Sequence, residues 1–236
     1  MTRSFQRFAA LCILGFLAAT ALIGSAFTQT APSKEELASY DGLLAAAALG
    51  DIARIRALTR IGADANIRDG HGRTPLMIAG YRGDIGAAKA LLVADSDVNA
   101  RDSQAYDLIT IAAVANDLAM LKLAIESGGD VTQITSPYDG TALIAAAHRG
   151  HVEVVRTLIA AGAPLDHVNN LGWTALIEAI VLGEGGPRHA AIVEALAEAG
   201  ADVDLADGDG IRPLALALAR GYQAIADILH AAGARP

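Results

Sequence analysis

The chain has 236 residues, with 18 basic against 26 acidic side chains and a net charge of −8; 53% of it is hydrophobic but only 4% aromatic. The acid excess leaves no basic footprint for general nucleic-acid binding. The one cysteine, Cys12, excludes an internal disulfide framework and a Cys-ligated zinc site.

Residues 1–7 carry Arg3 and Arg7 without an acid, residues 8–23 run without a charge, and Gly24, Ser25 and Ala26 supply small residues at the end. A positive start, an apolar run and a small-residue site read as a secretory signal peptide over residues 1–26. The alternative is an uncleaved anchor that holds the chain to the inner membrane through residues 8–26, since the apolar run lengthens once 24–26 are counted. Leu11, which precedes Cys12, is not the small residue of a lipidation signal. Cleavage after Ala26 leaves 16 basic against 26 acidic residues and no thiol nucleophile. The expected location is therefore periplasmic or secreted. Residues 27–40 read as a polar linker and the start of a helix, in which Ser33 followed three residues later by Glu36 makes a capping box.

From residue 41 onward one pattern recurs. Thr141-Ala142-Leu143 opens a helix that runs through three alanines to a Gly150-His151 break. A second apolar helix follows, and Ala161-Gly162-Ala163 closes the unit. Thr74-Pro75-Leu76 and Thr174-Ala175-Leu176 begin two further copies. Weaker copies start at Gly42, Asp107 and Arg212. The anchors at 42, 74, 107, 141, 174 and 212 are 32, 33, 34, 33 and 38 residues apart. This unit resembles the ankyrin repeat, with its period of about 33 residues and its Thr-Pro-Leu-His-x-Ala signature. The resemblance implies an all-α solenoid of about six helix-turn-helix repeats joined by short β-hairpin-like loops. The repeats are expected near 41–66, 67–99, 100–132, 133–166, 167–204 and 205–236. Small alanines suit closely stacked helices, and the terminal repeats are expected to be atypical because each has one side in water.

Local chemistry refines the repeats. Pro75 suits a first helical turn, and Thr74 and Asp107 are helix caps. In the fifth repeat, residues 182–189 lengthen the connection between helices by about five residues relative to the fourth. Gly183, Gly185, Gly186 and Pro187 are expected to interrupt the helix there, which makes a candidate contact loop or a tolerated surface loop.

No nucleophile elbow, zinc helix, phosphate-cradling loop or dinucleotide fingerprint occurs. His148 and His151 lie at ligand spacing on a helix, but no third ligand accompanies them, and His151 sits at the repeat's Gly-His turn. Asp202, Asp204, Asp207 and Asp209 imitate a calcium loop, yet the twelfth position is Pro213 rather than a bidentate Glu. Glu194 and Glu198 read as a solvated helix face. The expectation is a non-catalytic chain without cofactor or metal.

The family resemblance implies a partner surface made by hairpin tips and the exposed positions of first helices. The matching residues are Arg68, His71, Arg73, Tyr81 and Arg82 in repeat two, and Arg101, Gln104 and Tyr106 in repeat three. Tyr138, His148 and Arg149 follow in repeat four, then Asn170, Leu171 and Trp173 in repeat five. Arg, Tyr and Trp are enriched at interface hot spots, and a basic, aromatic strip on an acidic protein implies a partner with an acidic contact segment. Residues 166–189 are similar to bacterial exported ankyrin proteins, some of which support a periplasmic catalase or peroxide resistance. The alternative role is an immunity protein that occludes a secreted toxic enzyme. No nucleic acid is expected as a partner, and a membrane only through an uncleaved N-terminus.

Overall fold

The computed structural model describes residues 29–235; the expected signal peptide lies outside them. Ala31–Pro236 forms one compact unit, and among its described residues there are thirteen helices and no strand. A short α1 (Lys34–Ser39) precedes six helix pairs. These are α2 (Gly42–Leu49) with α3 (Ile52–Arg60), α4 (Pro75–Tyr81) with α5 (Ile85–Leu92), and α6 (Leu108–Ala115) with α7 (Leu118–Glu126). The array continues with α8 (Ala142–Arg149) and α9 (Val152–Ala160), α10 (Ala175–Val181) and α11 (Pro187–Glu198), and α12 (Pro213–Ala219) and α13 (Gln223–Ala231). First helices pack on first helices and second helices on second helices, each against its neighbours along the chain. That nearest-neighbour packing defines a solenoid, the all-α ankyrin arrangement expected from the repeat.

The helices begin where the caps predict. Ser33 and Glu36 form their capping box around α1. Thr74, Asp107, Thr141 and Thr174 each accept a hydrogen bond from the third helical N–H of a first helix. Five of the six second helices fall into two groups, the exception being α11, which follows Gly186. In the first three repeats Asp51, Asp84 and Asp117 cap their own helices. In repeats four and six the same position holds His151 and Tyr222, which reach back to the preceding repeat instead: His151 Nδ1 donates to the Ala113 carbonyl at 2.9 Å and the Tyr222 hydroxyl to the Gly183 carbonyl at 3.1 Å. Asn116 ends α6 in the left-handed conformation (φ 56°) that glycine takes at 50 and 150, as its short polar side chain permits.

Alanine makes the stack close. Ala46, Ala47, Ala79, Ala87, Ala88, Ala112, Ala113, Ala146 and Ala147 have no exposed surface. A Cβ added to Gly80 in α4 would meet the Leu108 side chain of the next repeat at 2.5 Å. Leucine, isoleucine and valine from both helix rows complete a core that runs through every repeat.

The fifth repeat differs from expectation. Its connection does not project as a long loop: α10 ends at Val181, Leu182 caps it, and Pro187 starts α11 at its first position, where a missing N–H costs nothing. Part of the added length extends α11 to 12 residues, against 9 in α9. His189, expected in the loop, is a buried helical residue whose Nε2 donates to the His148 carbonyl at 3.2 Å. Residues 183 and 185 are pinned by Tyr222, whose ring would collide with any side chain at Gly185.

Candidate functional site

The hairpins between repeats are built by one device used five times. A polar side chain five residues before each helix cap accepts two backbone N–H groups across the turn. Asp69 Oδ1 takes His71 N–H and Arg73 N–H at 2.8 and 2.9 Å, and Asp102 Oδ1 takes Gln104 N–H and Tyr106 N–H, both at 2.9 Å. Ser136, Asn169 and Asp207 do the same in later repeats. Consecutive hairpins are laced together: Ser103 N–H donates to His71 O and Asn170 N–H to Tyr138 O, each at 2.9 Å. The tips His71, Gln104, Tyr138 and Leu171 therefore recur at equivalent places on a rigid edge.

The structure divides the expected contact residues into three groups. Arg82 and Arg149 are exposed at the ends of α4 and α8, and no salt bridge engages either among the described residues. His148 is half-exposed, and Tyr138 and Trp173 are partly buried. Arg68 and Arg101 are exposed but serve the hairpins. Arg68 Nη1 donates to the carbonyls of Gly72 and Arg101 at 2.7 and 2.6 Å, and Arg101 Nη1 to that of Ile134 at 3.2 Å.

Arg73 and Tyr106 correct the expectation: both are buried, Arg73 with 2% of its surface exposed. Arg73 Nε donates to Asp69 Oδ2 at 2.7 Å and Nη2 to Glu36 Oε1 at 2.6 Å, while the Tyr40 hydroxyl donates to Asp69 Oδ2 at 2.6 Å. His71 Nε2 also lies 2.9 Å from Glu36. This cluster ties α1 to repeat two, so two of the expected basic contacts are internally balanced. Burial pushes the Asp69 carboxyl up, but hydrogen bonds from Tyr40 and Arg73 outweigh it and hold the group below its ordinary value. The hydrogen bond from Ser33 N–H, with Arg73 beside it, likewise lowers Glu36 against its own burial. Tyr81 turns its hydroxyl inward, without a hydrogen-bond partner, and burial raises its pKa.

Sequence reasoning missed Glu178. It lies on α10, four residues after the Thr174 cap, and is 4% exposed. Asn169 Nδ2 donates to its Oε1 at 3.0 Å. Its Oε2 receives no hydrogen bond, although His148 Nδ1 lies at ion-pair distance, 3.2 Å away. The signal was present. The equivalent residues in the other repeats are Ala45, Ile78, Ile111, Ala145 and Leu216, all apolar.

Metal-like motifs resolve into structural roles. No group of three ligating side chains occurs among the described residues. His148 belongs to α8 and His151 caps α9, so the two do not share a helix. Burial lowers the His151 pKa, with Arg149 and Arg188 acting in the same direction against its bond to Ala113. Asp202 and Asp207 accept backbone N–H groups in turns, and Asp204 pairs with Arg235 at 2.6 Å.

The geometry has clear counterparts among known proteins. A family model described as ankyrin repeats in three copies matches residues 108–207, and a single ankyrin repeat matches 71–103. The putative ankyrin repeat protein YahD of Escherichia coli K12 is 44% identical over 98 residues, which are 41% of this chain and 49% of that protein. The match thus spans about half the relative's length. A solved ankyrin repeat domain from Acinetobacter baumannii is 47% identical, with a TM-score of 0.79 over 82% of this chain and 98% of that one. A structure of a predatory endopeptidase from Bdellovibrio bacteriovorus in complex with an immunity protein matches at 26% identity and TM-score 0.69, over 82% of this chain and 98% of the matched one. Repeat period, helix pairing, hairpin chemistry and these likenesses agree: the chain belongs to the ankyrin-repeat family.

Proposed function

We propose that this protein-interaction scaffold is exported, has no catalysis of its own, and binds a partner protein across its hairpin tips and first helices. The observation that carries this reading is the exposed or partly exposed Tyr138, Leu171 and Trp173 on hairpins laced by backbone hydrogen bonds, with Arg82 and Arg149 exposed at the far ends of the first helices α4 and α8. A pre-ordered surface loses little entropy on binding, and Arg, Tyr and Trp combine contact area with directional polar groups. Arg82 and Arg149 would meet an acidic segment of the partner. Support of a partner enzyme such as a catalase in oxidative-stress defence follows from the resemblance to exported ankyrin proteins. The second reading, occlusion of a secreted toxic enzyme, is favoured by the likeness to a solved endopeptidase–immunity protein complex.

The test is a pull-down from periplasmic extract with wild-type protein and with a folded variant carrying Arg82→Glu, Arg149→Glu and Trp173→Ala. A partner retained by the first and lost by the second supports the surface; equal retention refutes it. Fractionation and N-terminal sequencing decide export and processing, and a cytoplasmic, unprocessed chain overturns that part. Peroxide survival of a deletion strain separates the roles: unchanged survival rejects enzyme support, and capture of a hydrolase whose activity falls on binding establishes occlusion.

A further inference from the structure

We infer that Glu178 is a receptor for a basic side chain of the partner, a lysine or an arginine entering between repeats four and five beside His148. The inference rests on the scaffold reading for the owner of that side chain and adds to it a charge of opposite sign from the acidic segment that Arg82 and Arg149 would meet.

Comparison among the repeats carries the argument. Glu178 occupies a position that is alanine, isoleucine or leucine in the other five repeats, and at Ile78 and Ile111 it is core. Two neighbouring positions change with it. The hairpin residue that is Asp69, Asp102, Ser136 and Asp207 elsewhere is Asn169 here, and its amide can close the turn and donate to a carboxylate at once: its Nδ2 holds Glu178 Oε1 while its Oδ1 accepts the turn N–H groups. An aspartate there would set two carboxylates face to face. The third change is on α8, where His148 replaces the Ala48, Tyr81, Val114, Val181 and Ala219 of the equivalent positions.

These substitutions hold a buried carboxylate in place without completing its hydrogen bonds. Oε1 is occupied, whereas Oε2 is shielded by the half-exposed His148 and accepts nothing. A buried carboxylate oxygen left without a hydrogen bond, with only the His148 ring at ion-pair distance, is unfavourable, and an apolar residue would serve the fold better. Rotation of the His148 ring toward solvent opens Oε2 to an incoming N–H. The position of Glu178 at the start of α10 favours its negative charge. A charged donor is therefore the group that completes the site, and a carboxylate or hydrophobic group is excluded from it.

The test is NMR titration of the full chain with the probe acetyl-Gly-Arg-Gly-amide and with its neutral citrulline analogue, read at the Asn169 side-chain amide and the His148 ring. Saturable shifts with the arginine probe only are expected, weakened about 10- to 100-fold in Glu178→Gln, which keeps the Asn169 bond but replaces the free acceptor by a donor. His148→Ala, which uncovers Oε2, strengthens binding. The double variant Glu178→Ile with Asn169→Asp restores the pattern of repeat two; it loses the probe while its melting temperature rises by about 2–4 °C. Absence of saturable shifts, equal binding of the citrulline probe, or equal binding by Glu178→Gln overturns the inference. Failure of the scaffold reading is distinct: the probe still moves Asn169 while the pull-down captures no partner.

Discussion

Replacement of Arg73 by methionine keeps much of the side chain's volume and removes its charge from the cluster that joins α1 to repeat two. Removing one partner of a buried ion pair costs about 3–5 kcal/mol. Asp69 would keep the Tyr40 hydroxyl and two backbone N–H groups, and Glu36, 28% exposed, would recover water in place of Arg73. The loss should therefore sit near the lower bound, about 3 kcal/mol, which lowers the melting temperature by about 6–12 °C in a chain of this size. In a linear array such a loss is local, so hydrogen exchange should accelerate in α1–α3 well before α8–α11. The pH dependence has a definite sign. Glu36 and Asp69 are held below their ordinary values in the folded state. The stability they contribute is thus present above the unfolded values of about 4 and is lost as pH falls through the folded ones. The gap between wild type and variant should shrink on acidification from pH 6 to below pH 4. A variant melting within about 1 °C of wild type, or a gap that persists at low pH, refutes the assignment of this cluster as a stabilising clamp.

Three further outcomes can be measured by denaturant or thermal melts. Gly172→Ala should lose more than about 2 kcal/mol, because its φ of 78° strains any L side chain and the new Cβ would lie 2.7 Å from Gly208 N in the next hairpin; a neutral variant refutes the tight stacking of those hairpins. Asp107 is a buried cap whose pKa burial raises against its bonds to Thr110, so its stability cost grows as pH rises through the interval from the unfolded to the folded value. Asp107→Thr keeps a cap and removes the buried charge, so its stability relative to wild type should be more favourable at pH 7 than at pH 4; the opposite trend would contradict this. His151 is held below its ordinary value by burial, so its contribution is complete above the unfolded value of about 6.5 and declines as pH falls through the folded one. His151→Gln should therefore flatten the loss of stability between pH 7.5 and 5.5, and an unchanged slope would reject the assignment.

What the sequence alone determined is whatever depends on neighbours a few residues away. The 33-residue spacing, the Ser33, Thr74, Asp107, Thr141 and Thr174 caps, and the alanine runs of the first helices are local features, and their repetition along the chain specifies a stacked array. Burial of individual side chains depended on the adjacent repeat. The residue before the cap is Arg73, Tyr106 and Trp173 in repeats two, three and five, alike in their promise as contact residues. Arg73 is buried because Glu36, 37 positions away, and Asp69 meet its guanidinium, whereas Trp173 stays partly open. In the same way Glu178 looked like one polar letter in an apolar helix. Its setting, one oxygen held by Asn169 and the other without a hydrogen bond beside His148, arises only where α8 brings His148 alongside and the Asn169 hairpin folds over it. Charge pairing and shielding across repeats are set by distances in space, and those the stacking of the repeats decides.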